Sequence, residues 1–274
     1  MPQPPLITQG LQVGYGERRV VESADLSFAP ASLTVLLGPN GSGKSTLLGA
    51  LARQLPARAG AVLLHGRDIH RLPSREVARQ LGILPQAPVL PESMTVLDLV
   101  SFGRHPHQGW LRQWSDADSE AVEHAMRLTG TLDYAARAVD SLSGGQRQRC
   151  WIAMALAQQT GIILLDEPTT FLDLKYQVEI MDLLHDLVHG HGRTIVAVLH
   201  DLNFAMAYAD QLVLMKDGRV KACLADAAAC TPELVKDVFD VEVTALPGLR
   251  GGRPLFIPLA HAHPSADHAA RHAD

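Results

Sequence analysis

The residues best suited to chemistry form a glycine-rich segment, residues 38–46, which reads GPNGSGKST. It fits the pattern G-x-x-x-x-G-K-[ST], and it lies between an apolar run, residues 33–37, and a helical pattern, residues 44–53. Backbone N–H groups in such a loop can surround a phosphate, and the helix N-terminus adds partial positive charge. Lys44 can reach the β- and γ-phosphate oxygens, and Ser45 can offer its hydroxyl to Mg²⁺, so the segment predicts a nucleotide site. The predicted phosphate-binding residues are Gly38, Pro39, Asn40, Gly41, Ser42, Gly43, Lys44, Ser45 and Thr46.

Two consecutive carboxylates, Asp166 and Glu167, follow directly on the apolar run of residues 162–165. If this run is a strand of a parallel sheet, its carboxyl end lies in the crevice beside the glycine-rich loop. We expect Asp166 to hold Mg²⁺, mostly through water, and Glu167 to accept a proton from an attacking water, a role worth roughly 10²–10⁴ in rate. Acids at a strand end are often only solvated turn residues, and it is the neighbouring loop that favours the catalytic interpretation.

A histidine, His200, ends a third apolar run, residues 194–199. Its imidazole can donate a hydrogen bond to a γ-phosphate or orient the attacking water. A lone histidine at a strand end is more often structural, so this assignment needs support from elsewhere in the sequence.

The elements that must position these groups alternate between short apolar runs and helical patterns. Runs without polar interruption suit strands that are covered on both faces, and strand–helix alternation predicts an α/β fold with a parallel sheet. The predicted strands are residues 33–37, 162–165, 194–199, 219–224 and 241–246, and the predicted helices of this core are residues 44–53, 174–188 and a short one that Thr231 caps.

The middle of the chain, about residues 87–158, has a different pattern. Three helices, at residues 95–102, 115–129 and 146–158, are predicted there without an intervening strand, and the third is apolar nearly all round. We therefore expect a helical subdomain inserted into the α/β core. Residues 259–274 are rich in Ala and His, and we predict that they form a disordered tail.

Composition narrows the classes of function. The 274 residues carry 24 Lys and Arg against 29 Asp and Glu, for a net charge of −5, which does not suit a sequence-independent nucleic-acid binder. Hydrophobic residues make up 47% of the chain, enough for a packed core. No apolar run approaches the roughly 20 residues of a transmembrane helix, and we expect no signal peptide. The 3 cysteines form no C-x-x-C pair, as is typical of reduced thiols in the cytosol.

A second glycine-bearing turn, residues 142–146, reads LSGGQ and opens the third helix of the middle region. It is another candidate anion-binding helix N-terminus, about a hundred residues after the first. At this point the sequence resembles the ATP-binding subunits of ABC transporters, over about residues 6–247. The features that agree in order and approximate spacing are the loop of residues 38–46, Gln86, LSGGQ, the pair Asp166 and Glu167, Leu172 with Asp173, and His200.

The resemblance implies a fold and further residue roles. The fold is that of a P-loop NTPase: a RecA-like parallel core with an antiparallel β subdomain and a helical insertion, together forming one ATP-binding domain over residues 1–258. Tyr15 looks like the family's aromatic residue that stacks on adenine, although a half-buried strand tyrosine is the alternative. Gln86 looks like the residue that contacts Mg²⁺ and the attacking water, Asp173 like the aspartate at the dimer seam, and His200 like the switch histidine.

The resemblance also implies partners. In this family two subunits enclose two ATP molecules head-to-tail, so each site needs the signature turn of the other copy. ATP brings about four negative charges, and a second helix N-terminus helps to neutralise them. We therefore expect a homodimer on the cytoplasmic face of the inner membrane, a separate polytopic permease, an extracytoplasmic substrate-binding protein and no nucleic acid. The signature residues expected to reach the nucleotide of the other copy are Ser143, Gly144, Gly145 and Gln146.

Several details resemble the importers of ferric siderophores and related iron chelates. They are residues 102–107, Trp110, residues 150–154 and residues 169–173, where Thr170 and Phe171 stand in place of the small residues that are common in the wider family. Since the ATPase does not touch the cargo, haem and cobalamin stay open as alternatives. So do two other classes of protein: a soluble ABC ATPase that acts on nucleic acid or ribosomes, and a regulatory subunit that binds nucleotide without turnover.

Overall fold

The computed structural model describes residues 3–86, 93–109, 114–248 and 252–259. The strands are β1 (Leu6–Tyr15), β2 (Arg18–Phe28), β3 (Leu33–Leu37), β4 (Ala59–Leu64), β5 (Arg67–Asp68), β6 (Leu81–Leu84), β7 (Ile162–Asp166), β8 (Thr194–Val198), β9 (Gln211–Lys216), β10 (Arg219–Leu224), β11 (Val243–Leu246) and β12 (Leu255–Pro258). The α-helices are α1 (Lys44–Leu51), α2 (Ser74–Ala78), α3 (Val96–Phe102), α4 (Asp116–Leu128), α5 (Gly144–Ala157), α6 (Leu174–His189), α7 (Leu202–Tyr208) and α8 (Pro232–Phe239).

Ten of these strands form one mixed sheet in the order β5-β4-β1-β2-β10-β9-β3-β8-β7-β6. The strands from β9 to β6 are parallel, and β5, β4, β1 and β2 form an antiparallel part. The two parts meet where Arg219 of β10 pairs with Ser23 of β2. The predicted α/β class with a parallel core is confirmed, and it places the carboxyl ends of β3, β7 and β8 side by side.

The core strands are apolar throughout because both faces of the sheet are covered. Side chains of a strand alternate between faces, and in β3 Val35 and Leu37 pack on one side while Leu36 packs on the other. Helices α3 to α7 contribute to the first of these two clusters, and α1 and the antiparallel strands contribute to the second. The predicted strands at residues 33–37, 162–165, 194–199 and 219–224 agree with β3, β7, β8 and β10.

Helices α3, α4 and α5 lie between β6 and β7, as the helical pattern predicts. Each begins with a capping box, in which a Ser or Thr and a residue three positions later hydrogen-bond each other's backbone N–H. The caps are Thr95 with Asp98, Ser115 with Asp118, and Ser143 with Gln146. In the described ranges, no helix is both long and apolar enough to cross a membrane.

Two expectations need correction. Helix α5 starts at Gly144 rather than Gln146, and it is largely buried only from Cys150 onward, because among residues 144–149 only Gly145 is buried. Strand β11 begins at Val243 rather than Val241. The prediction of a disordered tail concerns residues of which only Leu259 lies inside the described ranges, so it stays a prediction, as does the division into domains.

A buried ion pair joins the three helices of the insertion. Arg104, just after α3, donates from Nε to Asp118 Oδ1 over 2.9 Å, and both side chains are at most 5% exposed. Its guanidinium also donates to the carbonyl oxygen of Ala157, the last residue of α5, over 2.7 Å. Asp118 in turn accepts hydrogen bonds from the backbone and hydroxyl of Ser115. One charged cluster thus fixes the end of α3, the start of α4 and the end of α5.

We predict that Asp118→Asn lowers the free energy of unfolding by about 3–5 kcal/mol, because it leaves the buried Arg104 guanidinium without its counter-charge. Burial by itself would raise the pKa of Asp118, but hydrogen bonds from Ser115 and Arg104 outweigh it and hold the pKa at about 2, below its usual 3.8. A carboxyl group whose pKa is lowered by folding stabilises the fold fully at pH values above its usual pKa. This stabilisation is lost as the pH falls through the lowered pKa.

Urea unfolding at several pH values measures this effect. The difference between the wild-type chain and Asp118→Asn is expected to be full at pH 7 and to narrow from about pH 4 downward. Asp116→Asn is the control, since Asp116 is exposed in the same helical turn. Equal effects of the two substitutions, or a difference that does not change with pH, would contradict the assignment.

Candidate active site

The glycine-rich loop turns tightly between β3 and α1. Gly38 has φ +152°, and a Cβ there would overlap the carbonyl oxygen of Met215 on the neighbouring strand β9. Gly43 adopts a left-handed conformation, φ 100°, at the N-cap of α1. The hydroxyl of the buried Ser42 has no hydrogen-bond partner within the described ranges, and a phosphate oxygen would supply one. The Ser42 hydroxyl is therefore placed to donate a hydrogen bond to a bound phosphate.

Lys44 is the first residue of α1 and is 5% exposed. Its ammonium donates to the carbonyl oxygens of Gly38 and Pro39 over 2.8 and 3.0 Å, so it folds back over the loop where the phosphates would lie. Burial lowers the pKa of Lys44, and the negative charges of Glu167 and Asp166 oppose that fall. A buried cation beside two carboxylates is suited to bind the terminal phosphates of a nucleotide.

Ser45 and Asp166 bring two oxygen atoms together, because Ser45 Oγ donates to Asp166 Oδ1 over 3.0 Å. Burial raises the pKa of Asp166; the hydrogen bond from Ser45 opposes that rise and the charge of Glu167 adds to it. A divalent cation would relieve this unfavourable negative charge. Mg²⁺ prefers hard oxygen ligands and retains water, and a hydroxyl next to a carboxylate fits it.

Glu167 is the centre of the hydrogen-bond network. Its side chain is 10% exposed, and its backbone is in the left-handed region, φ 54°, an unfavourable conformation for this residue type. Oε1 lies 2.6 Å from His200 Nε2, which follows β8. Oε2 accepts from Gln86 Nε2 over 2.6 Å and from Thr170 Oγ1 over 3.0 Å. Three donors thus fix one carboxylate beside the loop.

The structure brings six of the candidate residues together at the carboxyl ends of β3, β6, β7 and β8. They are Lys44, Ser45, Gln86, Asp166, Glu167 and His200. Tyr15 ends β1 and is 55% exposed, and Asp173 is an exposed N-cap of α6. Within the described ranges neither side chain hydrogen-bonds to this group, so their predicted roles are not tested by the fold of one chain.

The signature turn is held by its own contacts. Ser143 Oγ accepts from the backbone of Gln146 over 3.3 Å, and the Gln146 side chain accepts from the backbone of Ser143 and donates to Tyr134 Oη. A Cβ at Gly145 would overlap the ring of Tyr176 on α6, whereas one at Gly144 would meet only Leu172 Cδ2 at 3.4 Å. The start of α5 thus packs closely on α6 at Gly145, whereas Ser143 and Gly144 are exposed.

Sequence reasoning missed two functional contacts. Thr170 lies three residues after Glu167 and donates to its carboxylate, and Tyr176 supports the signature helix at Gly145. The spacing of Thr170 is typical of a hydroxyl that hydrogen-bonds within a turn, which could have indicated it. The Tyr176 contact joins segments about thirty residues apart, and nothing local indicates it.

Comparison with known proteins identifies the family and its relatives. Residues 21–170 match the family model described as "ABC transporter". The probable siderophore transport system ATP-binding protein YusV of Bacillus subtilis (strain 168) is 52% identical over 251 residues, 92% of this chain and 91% of that protein. The achromobactin transport ATP-binding protein CbrD of Dickeya dadantii (strain 3937) is 48% identical over 259 residues, 94% of this chain and 96% of that protein.

Solved structures of ABC transporter proteins are similar to this chain in fold. A structure assigned to the metal-chelate type of ABC transporter, in an inward-facing conformation, has a TM-score of 0.81 at 27% identity and covers 93% of this chain and 98% of its own. A dimeric bacterial ABC transporter cassette has a TM-score of 0.70 at 28% identity and covers 80% of this chain and 97% of its own.

We predict that Gly145→Ala and Gly144→Ala differ in stability although the two glycines are adjacent. A methyl group at position 145 must displace the Tyr176 ring, at a cost of about 1–3 kcal/mol in the free energy of unfolding. The same change at position 144 is expected to alter it by less than about 1 kcal/mol, since alanine is the better helix former. Chemical denaturation measures both; equal values would mean that α5 and α6 are not packed as described.

Proposed function

This chain belongs to the ABC transporter family, and from that premise we propose that it is the ATP-hydrolysing subunit of an importer. We propose further that the importer takes up an iron(III)-siderophore complex through a separate membrane permease. The observation that carries the hydrolytic role is the Glu167 carboxylate, which accepts hydrogen bonds from Gln86, Thr170 and His200 beside the phosphate loop.

Hydrolysis at this site is a simple exchange of bonds. Water attacks the γ-phosphorus, its proton passes to the Glu167 carboxylate, and the bond from the γ-phosphorus to the bridging oxygen breaks to give ADP and inorganic phosphate. Lys44 binds the β- and γ-phosphate oxygens, and the loop N–H groups bind the β-phosphate. His200 donates to the γ-phosphate or orients the water, and its hydrogen bond to Glu167 keeps the two groups together. Tyr15 stacks on the adenine.

Mg²⁺ is the metal that this site would use. Ser45, Asp166 and the amide oxygen of Gln86 would hold it, with water in the other positions. When bound, it offsets negative charge on the β- and γ-phosphates. The hydroxyl and carboxylate oxygens 3.0 Å apart support this proposal. Burial and the charge of Glu167 raise the pKa of Asp166, and a bound cation would instead favour its charged form.

A second copy of the chain completes each site. The N-terminus of α5, where Ser143 and Gly144 are exposed, has the chemistry to bind a γ-phosphate through the Ser143 hydroxyl and the first backbone N–H groups of the helix. Among the described residues, the side chains of Ser143 and Gln146 hydrogen-bond only within the helical insertion, which leaves this end of α5 for the ATP on the partner copy. Asp173 would line the seam between the copies. ATP then favours the closed dimer, and hydrolysis removes the γ-phosphate that joins the halves.

The permease would dock on the helical insertion. Leu97, Phe102 and Trp114 are 45–47% exposed there, and Leu97 and Trp114 line a cleft of about 650 Å³ with apolar walls. We propose that this surface faces the membrane subunits, so that the chain is a peripheral protein on the inner face of the membrane. An extracytoplasmic binding protein would deliver the cargo to the permease.

The cargo is inferred from the relatives. The names of two proteins that are 48–52% identical over most of this chain refer to siderophore or achromobactin transport. Closely similar ATPases serve similar permeases, because the docking surface and the membrane partner must fit each other. This argument favours a ferric siderophore over haem or cobalamin, and it disfavours a role on ribosomes or DNA.

We predict that Glu167→Gln lowers kcat for ATP hydrolysis by about 10²–10⁴, because the amide cannot accept the proton. ATP binding should persist, since Lys44 and the loop are unchanged, and an ATP-bound dimer should accumulate on gel filtration. Glu120→Gln, at an exposed position of α4, is the matched control. Normal turnover in Glu167→Gln would show that another group is the base.

The cargo prediction is tested in cells that lack the chromosomal gene. We expect the wild-type chain, but not Glu167→Gln, to restore uptake of ⁵⁵Fe bound to a siderophore and to co-purify with a polytopic permease. Restored uptake of haem or cobalamin alone would overturn the siderophore assignment. Co-purification with ribosomes or DNA instead of a permease would overturn the role in transport.

A further inference from the structure

The last described segment of the chain is attached to α7, the helix that follows His200. Strands β11 and β12 pair with each other, and Asn203 of α7 binds both backbone groups of Phe256 in β12. Asn203 Oδ1 accepts from the Phe256 N–H over 2.9 Å, and Nδ2 donates to its carbonyl oxygen over 3.1 Å. The Phe256 side chain is 2% exposed and packs into the main core. The Asn203 side chain therefore makes the two backbone hydrogen bonds that a neighbouring strand would make to Phe256.

A second attachment holds the other end of α7. The guanidinium of Arg253 donates to the carbonyl oxygens of Met206 and Ala207 over 3.4 and 3.2 Å. These carbonyls lie in the last turn of the helix, where they have no partner within the helix, and a cation there is favourable. A Cβ at Gly248 would overlap the carbonyl oxygen of Arg253, so the chain approaches itself closely at this point.

Helix α7 is held both by its buried residues Ala205, Met206 and Tyr208 and by these two attachments. It has 7 residues, too few for a helix that is stable by itself. It begins two residues after His200, and Asp201 caps it by accepting from the N–H of Phe204 over 2.8 Å. On the other side of His200, Leu199 is fixed by a hydrogen bond from its N–H to the Leu36 carbonyl oxygen. A shift of the start of α7 must therefore be absorbed at His200 and Asp201.

We propose that Asn203 is a positioning residue for His200, and that the β11–β12 hairpin acts through it as a brace of the active site. The proposal rests on the hydrolytic function proposed above. The His200 side chain is 41% exposed, so packing alone does not fix its orientation, and its approach to Glu167 depends on where the chain enters α7. Phe256, through Asn203, and Arg253 set that entry point from a segment about fifty residues away.

The test compares ATP turnover with ATP binding. Asn203→Ala removes both hydrogen bonds to Phe256 but no group that touches the nucleotide. We expect kcat to fall about tenfold, less than the roughly 10²-fold that a 1 Å misplacement can cause, while the Kd for ATP changes by less than about twofold. Arg253→Met, which loses the second attachment, should also lower kcat. This second variant keeps the test decisive if Asn203→Ala folds poorly.

Two controls separate positioning from general destabilisation. Ile257→Thr changes an exposed neighbour of Phe256 on the same strand and should leave kcat unchanged. Signals of ¹⁵N-labelled His200, identified by their loss in His200→Gln, should shift in Asn203→Ala and not in Ile257→Thr. In the His200→Gln background, Asn203→Ala should cause no further loss of kcat, because both changes disturb one group.

Three results would overturn the proposal: an unchanged kcat in Asn203→Ala and Arg253→Met, an equal loss in Ile257→Thr, or losses that multiply in the Asn203→Ala/His200→Gln chain. Each of these leaves the proposed function intact. Failure of the proposed function itself would be seen separately, as a wild-type chain that does not hydrolyse ATP.

Discussion

The structure depends on one electrostatic constraint: two adjacent carboxylates, Asp166 and Glu167, lie at the end of a buried strand. Like charges at such a site repel each other and lose hydration, so each must be compensated by donors or cations. Separate segments supply the donors: α1 gives Ser45, the segment after β6 gives Gln86, and the junction after β8 gives His200. The same negative charge favours the binding of a divalent cation, and it favours the transfer of a proton from water to a carboxylate.

The fold meets this constraint because parallel strands end at one edge. The backbone between β3 and α1 can turn there only with glycine at position 38, because any side chain would overlap β9. The resulting loop places Lys44 near the two carboxylates, and it leaves the Ser42 hydroxyl without a partner within the described ranges. The position of Lys44 near the carboxylates and the shape of the loop therefore both follow from the order of the parallel strands.

How far the sequence predicts this structure depends on the range of each interaction. The apolar runs of β3, β7 and β8 have a local pattern, and the sequence locates these three strands closely. Strands β1 and β2 contain bulges that interrupt their alternation, so no period indicates them; only the family resemblance implied an antiparallel part. The contacts of Gly145 with Tyr176 and of Asn203 with Phe256 join segments that are far apart in the sequence. No local pattern of residue types predicts such contacts, because they depend on how the backbone folds.

The central claim is that each ATP lies between the phosphate loop of one copy and the signature turn of the other. The direct measurement mixes Lys44→Ala chains, which lack a working loop, with Ser143→Arg chains, which lack a working signature. Each variant alone should be inactive, whereas an equal mixture should regain about a quarter of wild-type ATPase activity, because half of the randomly formed dimers contain one intact composite site. A mixture as inactive as its components, or Ser143→Arg chains that hydrolyse ATP by themselves, would contradict the account.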